Sequence, residues 1–465
     1  MKVVVLSTRT NVIAVYRKLA KLYFMAYDNF TSRRVCWCRQ YLEKTQWWKR
    51  RDLQRLQTKR LRALLKHAYE NVPHYHECFK KSSIRPGDIK SVSDLSKLPT
   101  LKKKTIRQQT DRMMAENFPK REMVFQRTSG TTSSPLGLYR TKADLSWGVG
   151  AEFRGYGWAG YEAGDKRAMV WVLRPDQLGS FTFRLKSFLM RDKVLNTKHI
   201  SQSAIASFAQ KMHVHKPDFV RGYCGATTMF ATFLLHNDRF KISPKAVFTS
   251  GETLLPHYKK TIERAFGCKI YEYYASSEMS HIAAQCGCHA GFHLSEENIV
   301  FEAVEDGEAV DSGEEGHVLL TNLNNYAMPF IRYDIGDVGK VFPDVCSCGR
   351  GLLLVKPIGR TYEYFVSSGG EFSVLHDLET LFEDLPVRDF QVVQESLDEI
   401  VIKVVAGPSF TEAHERFILE NIVEHGPANV RVELVDSIPL ERSGKARHFV
   451  SKIASVYTGA SSSEA

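Results

Sequence analysis

A chain of 465 residues, 43% hydrophobic and 25% charged, can bury the cores of two or three domains, and no apolar run reaches the roughly 18–20 residues of a membrane span. The net charge of +12 admits acidic lipid or nucleic acid as a partner, but no helix-turn-helix or ribonucleoprotein pattern supports nucleic acid, and none is expected. Nine cysteines, an odd count, argue against a disulfide framework and for a cytoplasmic compartment.

The opening MKVVVLSTRTNVIAV begins apolar but is interrupted by Thr8, Arg9, Thr10 and Asn11, and it reads as part of the mature protein rather than a signal peptide. Residues 1–120 form a basic, mainly helical entry. Within it, Leu53, Leu56, Leu61, Leu64, Leu65 and Ala68 recur at helical spacing along Trp47–Tyr69, which leaves the opposite face basic. A surface helix with solvated charges is the plainer reading; peripheral contact with an acidic membrane is the sharper one.

From 121 to 295 short apolar runs alternate with helical patterns. The runs are Met123–Arg127, Arg167–Leu173, Asp218–Tyr223, Lys245–Gly251 and Cys268–Tyr274, with helices expected near 142–155, 201–213, 225–236 and 255–266. Such alternation predicts an α/β core with a mostly parallel sheet. Residues 296–360 read as a strand-rich subdomain. A boundary follows, then a small α/β domain over 361–456 and a polar tail, 457–465, expected to be disordered.

Five segments carry chemistry. TSGTTSSPLG (Thr128–Gly137) follows a strand and precedes a helix, so its hydroxyls and backbone N–H groups can surround phosphate oxygens; without a G-K-[ST] it is not a Walker loop. SGETL (Ser250–Leu254), YEYYASSEM (Tyr271–Met279), FIRYDIGDVG (Phe330–Gly339) and SIPLERSGKARHF (Ser437–Phe449) follow in that order. Singly, each is an ordinary turn. Together, along with LLKHAYENVPHYHECF and WAGYEAGDKR, they resemble the adenylate-forming superfamily of acyl-CoA synthetases, luciferases and adenylation domains. Within it they resemble the phenylacetate–CoA ligase-like branch, which includes capsular polysaccharide biosynthesis proteins, over residues about 50 to 450.

That resemblance implies roles. Thr128, Ser129, Gly130, Thr131 and Thr132 would grip the β- and γ-phosphates of ATP, and the backbone of Gly251 and Glu252 would cover the adenine. Tyr274 would stack on the base, Ser277 would lie near the α-phosphate and Glu278 would bind Mg²⁺. Asp337 would hold the ribose hydroxyls, with Arg360 beside it and Lys445 supplying positive charge from a mobile C-terminal domain. The implied activity is ATP-dependent formation of an acyl-adenylate from a small carboxylic acid, followed by transfer to CoA. The alternatives are transfer to an amine or hydroxyl, and a non-catalytic nucleotide-binding assembly protein. Ser133 and Ala275 stand where the family has glycine, which matters only where φ is positive.

Cys286-Gly-Cys288-His289-Ala-Gly-Phe-His293 and the later Cys346-Ser-Cys348 offer six soft or borderline ligands, two more than a tetrahedral zinc needs. The resemblance favours Cys286, His293, Cys346 and Cys348 around a structural Zn²⁺, with Cys288 and His289 as alternates. Trp147, Phe153, Tyr156, Trp158 and Tyr223 are candidates for the walls of an acyl pocket, or simply for core.

Overall fold

The computed structural model describes residues 2–452 except 128–135, 174–176, 178, 198–199, 252–253, 255, 306, 343, 359–363, 367–371, 375–381, 383–384, 424–428 and 437–448. The hydroxyl loop, Glu252, Arg360, Lys445 and the polar tail therefore lie outside the described residues.

Five helices open the chain: α1 (Lys2–Thr31), α2 (Val35–Thr45), α3 (Arg50–Asn71), α4 (Pro73–Lys81) and α5 (Lys103–Gln108). The Asp28 carboxylate starts α2 by accepting from the free N–H groups of Val35 and Cys36, each at 2.9 Å. Pro73 sits at the first position of α4, where no N–H is needed. The apolar stripe of α3 goes into the core: Leu53, Leu61, Leu64, Leu65 and Ala68 are buried, each leucine contributing about 1.5–3 kcal/mol. Arg51, Arg55, Lys59, Arg62 and Lys66 line the outer groove of this helix together with Ala63, Tyr69 and Glu70, so its outward face is mainly basic.

The expected strand–helix alternation follows. An antiparallel pair, β1 (Met123–Arg127) and β2 (Gly137–Thr141), flanks the hydroxyl loop. Next come α6 (Lys142–Gly157), β3 (Arg167–Trp171), α7 (Phe181–Leu189), β4 (Asp192–Asn196) and α8 (Gln202–His215). They are followed by β5 (Phe219–Tyr223), α9 (Cys224–Leu235), β6 (Ala246–Ser250), α10 (Pro256–Phe266) and β7 (Ile270–Ser276). Strands β4, β3, β5, β6 and β7 pair in parallel in that order. All five side chains of β6 are buried, as expected of a parallel strand covered on both faces.

At β7 the sheet changes character. β8 (Ser280–Gln285) returns from it as a hairpin, and β9 (Phe292–Leu294), β10 (Ile299–Glu305), β11 (Glu308–Ala309), β12 (Gly316–Asn322), β13 (Tyr333–Phe342) and β14 (Leu354–Pro357) continue the sheet antiparallel. The result is one twelve-stranded sheet, half parallel in style and half antiparallel. Helix α6 lies close against β8 because Gly148 and Gly155 face Ser280 and His281; a side chain at either would press on them. Buried ion pairs fasten the entry helices to the sheet: Arg154 meets Glu297 at 2.8 Å, Thr45 donates to the same carboxylate, and Arg50 pairs with Glu296.

The C-terminal part contains the two-stranded pair β15 (Tyr364–Val366) and β16 (Phe372–Val374). It continues with β17 (Val387–Gln394), β18 (Glu399–Ala406), α11 (Glu412–Val423), β19 (Asn429–Leu434) and β20 (Phe449–Ser451). The last four strands form their own sheet in the order β19-β18-β17-β20 around a separate core that includes Phe390, Val392, Ile400, Ile402 and Ile418. The α/β class is as expected from sequence.

Candidate active site and cysteine–histidine cluster

The tip of the β7–β8 hairpin is the centre of the site. Ser276 faces Ser280 across the strands, and Ser277, Glu278 and Met279 make the turn, closed by Met279 N–H donating to Ser276 Oγ at 3.1 Å. Ser280 adopts φ of 60°, which lets the chain reverse within three residues. Ala275 lies within β7 at a register shift, in extended backbone, so the absence of glycine there carries no strain.

Strand β13 faces this turn. Tyr333 donates its phenol to Glu278 Oε1 at 3.3 Å, and Tyr274 donates to Asp337 Oδ2 at 2.6 Å. Glu278 and Asp337 are each 8% exposed, so both carboxylates are largely withdrawn from water yet open at one edge. The start of β13 is held by Arg332, a residue at φ of 52° whose buried guanidinium donates to Glu302 Oε1 and to the carbonyls of Ser96, Leu98 and Gly307. Arg140 on β2 supports the turn from the other side. It donates to the Ser277 carbonyl at 3.0 Å and to Asp144 Oδ2 at 2.6 Å.

Gly251, just past β6, has φ of 87°, and a Cβ there would press on the Tyr223 ring. Tyr223 in turn stacks on Trp171 at 4.0 Å. Of the five aromatics considered for an acyl pocket, Tyr223 is the one beside this glycine. Trp147 packs on Trp37 and Tyr41 beneath Arg60, Phe153 and Tyr156 lie in the core, and Trp158 packs edge-on against His293.

Below the hairpin lies a buried polar group. Arg221 Nη2 meets Glu152 Oε1 at 2.7 Å, and its Nε donates to Tyr273 Oη at 2.8 Å. Burial by itself would raise the Glu152 carboxyl, but Arg221, the Tyr156 hydrogen bond and Arg167 together outweigh it and hold the group below its usual range. His281 lies parallel to the Tyr273 ring with Nδ1 3.2 Å from Ser295 Oγ, and burial pushes it down to about 4. It is neutral at ordinary pH.

The second cluster is formed by Cys286, His293, Cys346 and Cys348, whose ligand atoms all lie within 4.8 Å of one another. Cys286 Sγ and Cys346 Sγ are 3.7 Å apart, too far for a disulfide and close to the ~3.8 Å edge of a tetrahedron with Zn–S of about 2.3 Å. Cys348 Sγ lies 3.3 Å from His293 Nε2. Two similar turns present the sulfurs: His289 N–H donates to the Cys286 carbonyl and Gly349 N–H to the Cys346 carbonyl, each at 3.1 Å, with φ of 52° and 81° at the donors. Burial pushes the Cys286 thiol up to about 12 and the His293 imidazole down to about 4. Cys288 is exposed and bonded to Ser347, while His289 packs on Tyr271; neither joins the cluster.

Sequence reasoning did not single out Tyr333, Arg140 or Asp144. Tyr333 stands inside a quoted motif and had a signal in its phenol; Arg140 and Asp144 had none, because Arg140 reaches a backbone carbonyl 137 residues away and Asp144 acts through Arg140.

Residues 365–452 match the model of the CapK C-terminal domain. The phenylacetate-coenzyme A ligase of Escherichia coli K12 is 28% identical over 382 residues, 78% of this chain and 85% of that protein. Protein CapK of Staphylococcus aureus is 23% identical over 415 residues, 86% of this chain and 90% of its own length. Among solved structures, 2-hydroxyisobutyryl-CoA ligase with 2-HIB-AMP and CoA superposes with a TM-score of 0.66 at 21% identity, covering 88% of this chain and 91% of that one. The fold is thus that of adenylate-forming acyl-CoA ligases. In sequence the chain is similar, over most of its length, to phenylacetate-coenzyme A ligases and to CapK.

Proposed function

We propose that this protein uses Mg-ATP to convert a small carboxylic acid to its acyl-adenylate, releasing pyrophosphate, and then passes the acyl group to CoA. The observation that carries the reading is the convergence of Tyr274 and Glu278, from the β7–β8 hairpin, with Asp337 and Tyr333 of β13, far off in sequence. A carboxylate oxygen of the acid attacks the α-phosphorus, and the bond to pyrophosphate breaks. A thiolate then attacks the acyl carbon and AMP leaves.

Both partners of the first step are anionic, so positioning and charge neutralisation supply most of the rate. Glu278, one oxygen already oriented by Tyr333, would hold Mg²⁺, a hard cation that would supply charge neutralisation between the acid and the triphosphate. Asp337 accepts from the ribose, and Tyr274 fixes that carboxylate while offering its face to the base. Ser277 lies on the same turn, and Gly251 opens space beside the base. Thr128, Ser129, Gly130, Thr131 and Thr132 would hold the triphosphate, Glu252 and Arg360 would complete the nucleoside site, and Lys445 would come from the domain over 361–456.

The Cys286, His293, Cys346 and Cys348 set fits a structural zinc. All four positions would be filled by protein, which leaves no place for a reactive water. Such a zinc would tie the loop before β14 to β9. Arg350 and Trp158 both bond Gln46 Oε1 next to the cluster, so it would also anchor the entry helices.

ATP–pyrophosphate exchange over aryl, fatty and hydroxy acids tests the reading. One acid class supports exchange, and CoA then discharges the adenylate. If no acid supports exchange while ATP still raises the melting temperature, the ligase reading gives way to a nucleotide-binding assembly protein. An amine or hydroxyl acceptor, on a saccharide or carrier, is the second reading and rests on the CapK match of residues 365–452. Exchange that CoA leaves unaccelerated favours it.

A further inference from the structure

The first helix carries an apolar face that the fold does not cover. Val15, Leu19 and Leu22, at three- and four-residue steps on α1, are all exposed, Leu22 to 52%, as is Met25 one flank over. The opposite face is used: Ala20 and Phe24 are buried, and Arg17 is paired with Asp165 at 2.9 Å. Beside the exposed face lies α7, joined through the Tyr16 and Phe188 rings, which meet edge-on at 6.3 Å. It adds Phe181, Leu185 and Phe188, exposed to 76%, 41% and 64%.

The charges around this surface have one sign. Lys18 and Lys21 are exposed along the flank of α1, and Arg184 on α7. The sole acid of α1 is Asp28, spent on the N–H groups of Val35 and Cys36, and α7 has none. No described helix is long and apolar enough to cross a membrane, so an apolar stripe with cationic flanks suits a helix lying in the interface plane. We infer that α1 and α7 together form a docking surface for an anionic lipid bilayer, with Val15, Leu19, Leu22, Phe181 and Phe188 entering the acyl boundary and the lysines meeting lipid phosphates. The leucines of the basic helix α3, by contrast, are in the core.

The test is co-sedimentation of the full-length protein with vesicles of phosphatidylcholine alone or mixed equally with phosphatidylglycerol. Binding is expected to the mixed vesicles, to weaken several-fold from low to high salt, and to fall by about tenfold in Leu19→Glu/Leu22→Glu and in Phe181→Ser/Phe188→Ser. These side chains are exposed, so an unchanged melting temperature accompanies the loss. Three results overturn the inference. One is no sedimentation with either vesicle. Another is binding abolished by Lys59→Glu/Arg62→Glu on α3 but not by the α1 pair. The last is a lipid-free dimer, seen by sedimentation velocity and dissolved by Leu19→Glu/Leu22→Glu, without vesicle binding, which would make the occupant a second copy of the chain.

Discussion

The phenol of Tyr274 donates to the Asp337 carboxylate at 2.6 Å, linking β7, where the parallel half of the sheet ends, to β13 in the antiparallel half. A residue expected beside the adenine and one expected at the ribose are therefore one hydrogen-bonded unit. Removing the phenol leaves the ring but frees the carboxylate. Tyr274→Phe is expected to raise the KM for ATP about tenfold with a smaller effect on kcat, and Asp337→Asn to raise it further, since a hydrogen bond to a charged group contributes about 1.5–3 kcal/mol. Pyrophosphate exchange against ATP concentration measures both.

Glu278 should act on the chemical step. Glu278→Gln is expected to lower kcat by about 10²–10³ and to raise the magnesium concentration needed for half-maximal rate. Tyr333→Phe removes the orienting bond but keeps the charge, so its loss should be smaller, about tenfold, with the magnesium requirement little changed. Equal losses in the two variants would argue against a metal-binding carboxylate.

Zinc content separates the ligand set from its neighbours. Elemental analysis should find one zinc per chain in the native protein and in Cys288→Ser, and less than stoichiometric metal in Cys346→Ser. A strong chelator should lower the melting temperature of the native protein, because metal affinity here is folding free energy. Full zinc in Cys346→Ser would remove that residue from the set.

His281 gives the pH prediction. Its folded pKa, about 4, lies below the unfolded value near 6.5, so the unfolded chain binds the proton first as pH falls. Its contribution to stability is whole above pH 6.5 and is lost on descending toward 4. Between pH 7 and 5 the loss is about 2 kcal/mol. Urea unfolding of His281→Gln at the two values should show a pH dependence smaller by roughly that amount, with activity at pH 7 kept if the hairpin above it stays in place.

Local pattern carried much of this far. The helices expected near 142–155, 201–213, 225–236 and 255–266 are α6, α8, α9 and α10, because their apolar spacing and neighbouring turns are local properties. Two stretches escaped. Helix α7 and strand β4 are short, lack buried apolar alternation and are defined by packing on α1 and β3. Strand β8 starts just past the quoted motif and is not among the expected runs, because its pairing with β7 depends on the turn at Ser280, where a positive φ reverses the chain.

What the amino-acid order alone determined is the α/β class, the succession of motifs and the cysteine–histidine inventory, all of which follow from spacing along one dimension. Tertiary structure decided the rest. It brought Cys286, His293, Cys346 and Cys348 within 4.8 Å of one another and left Cys288 exposed beside Ser347 and His289 against Tyr271. It paired Tyr274 with Asp337 and Tyr333 with Glu278 between the β7–β8 hairpin and β13, which are separated in the sheet by other strands and distant in the chain. It also hid the leucines of α3 and exposed those of α1, a distinction that helical periodicity cannot make, since an apolar stripe looks the same whether a core or a membrane is to cover it.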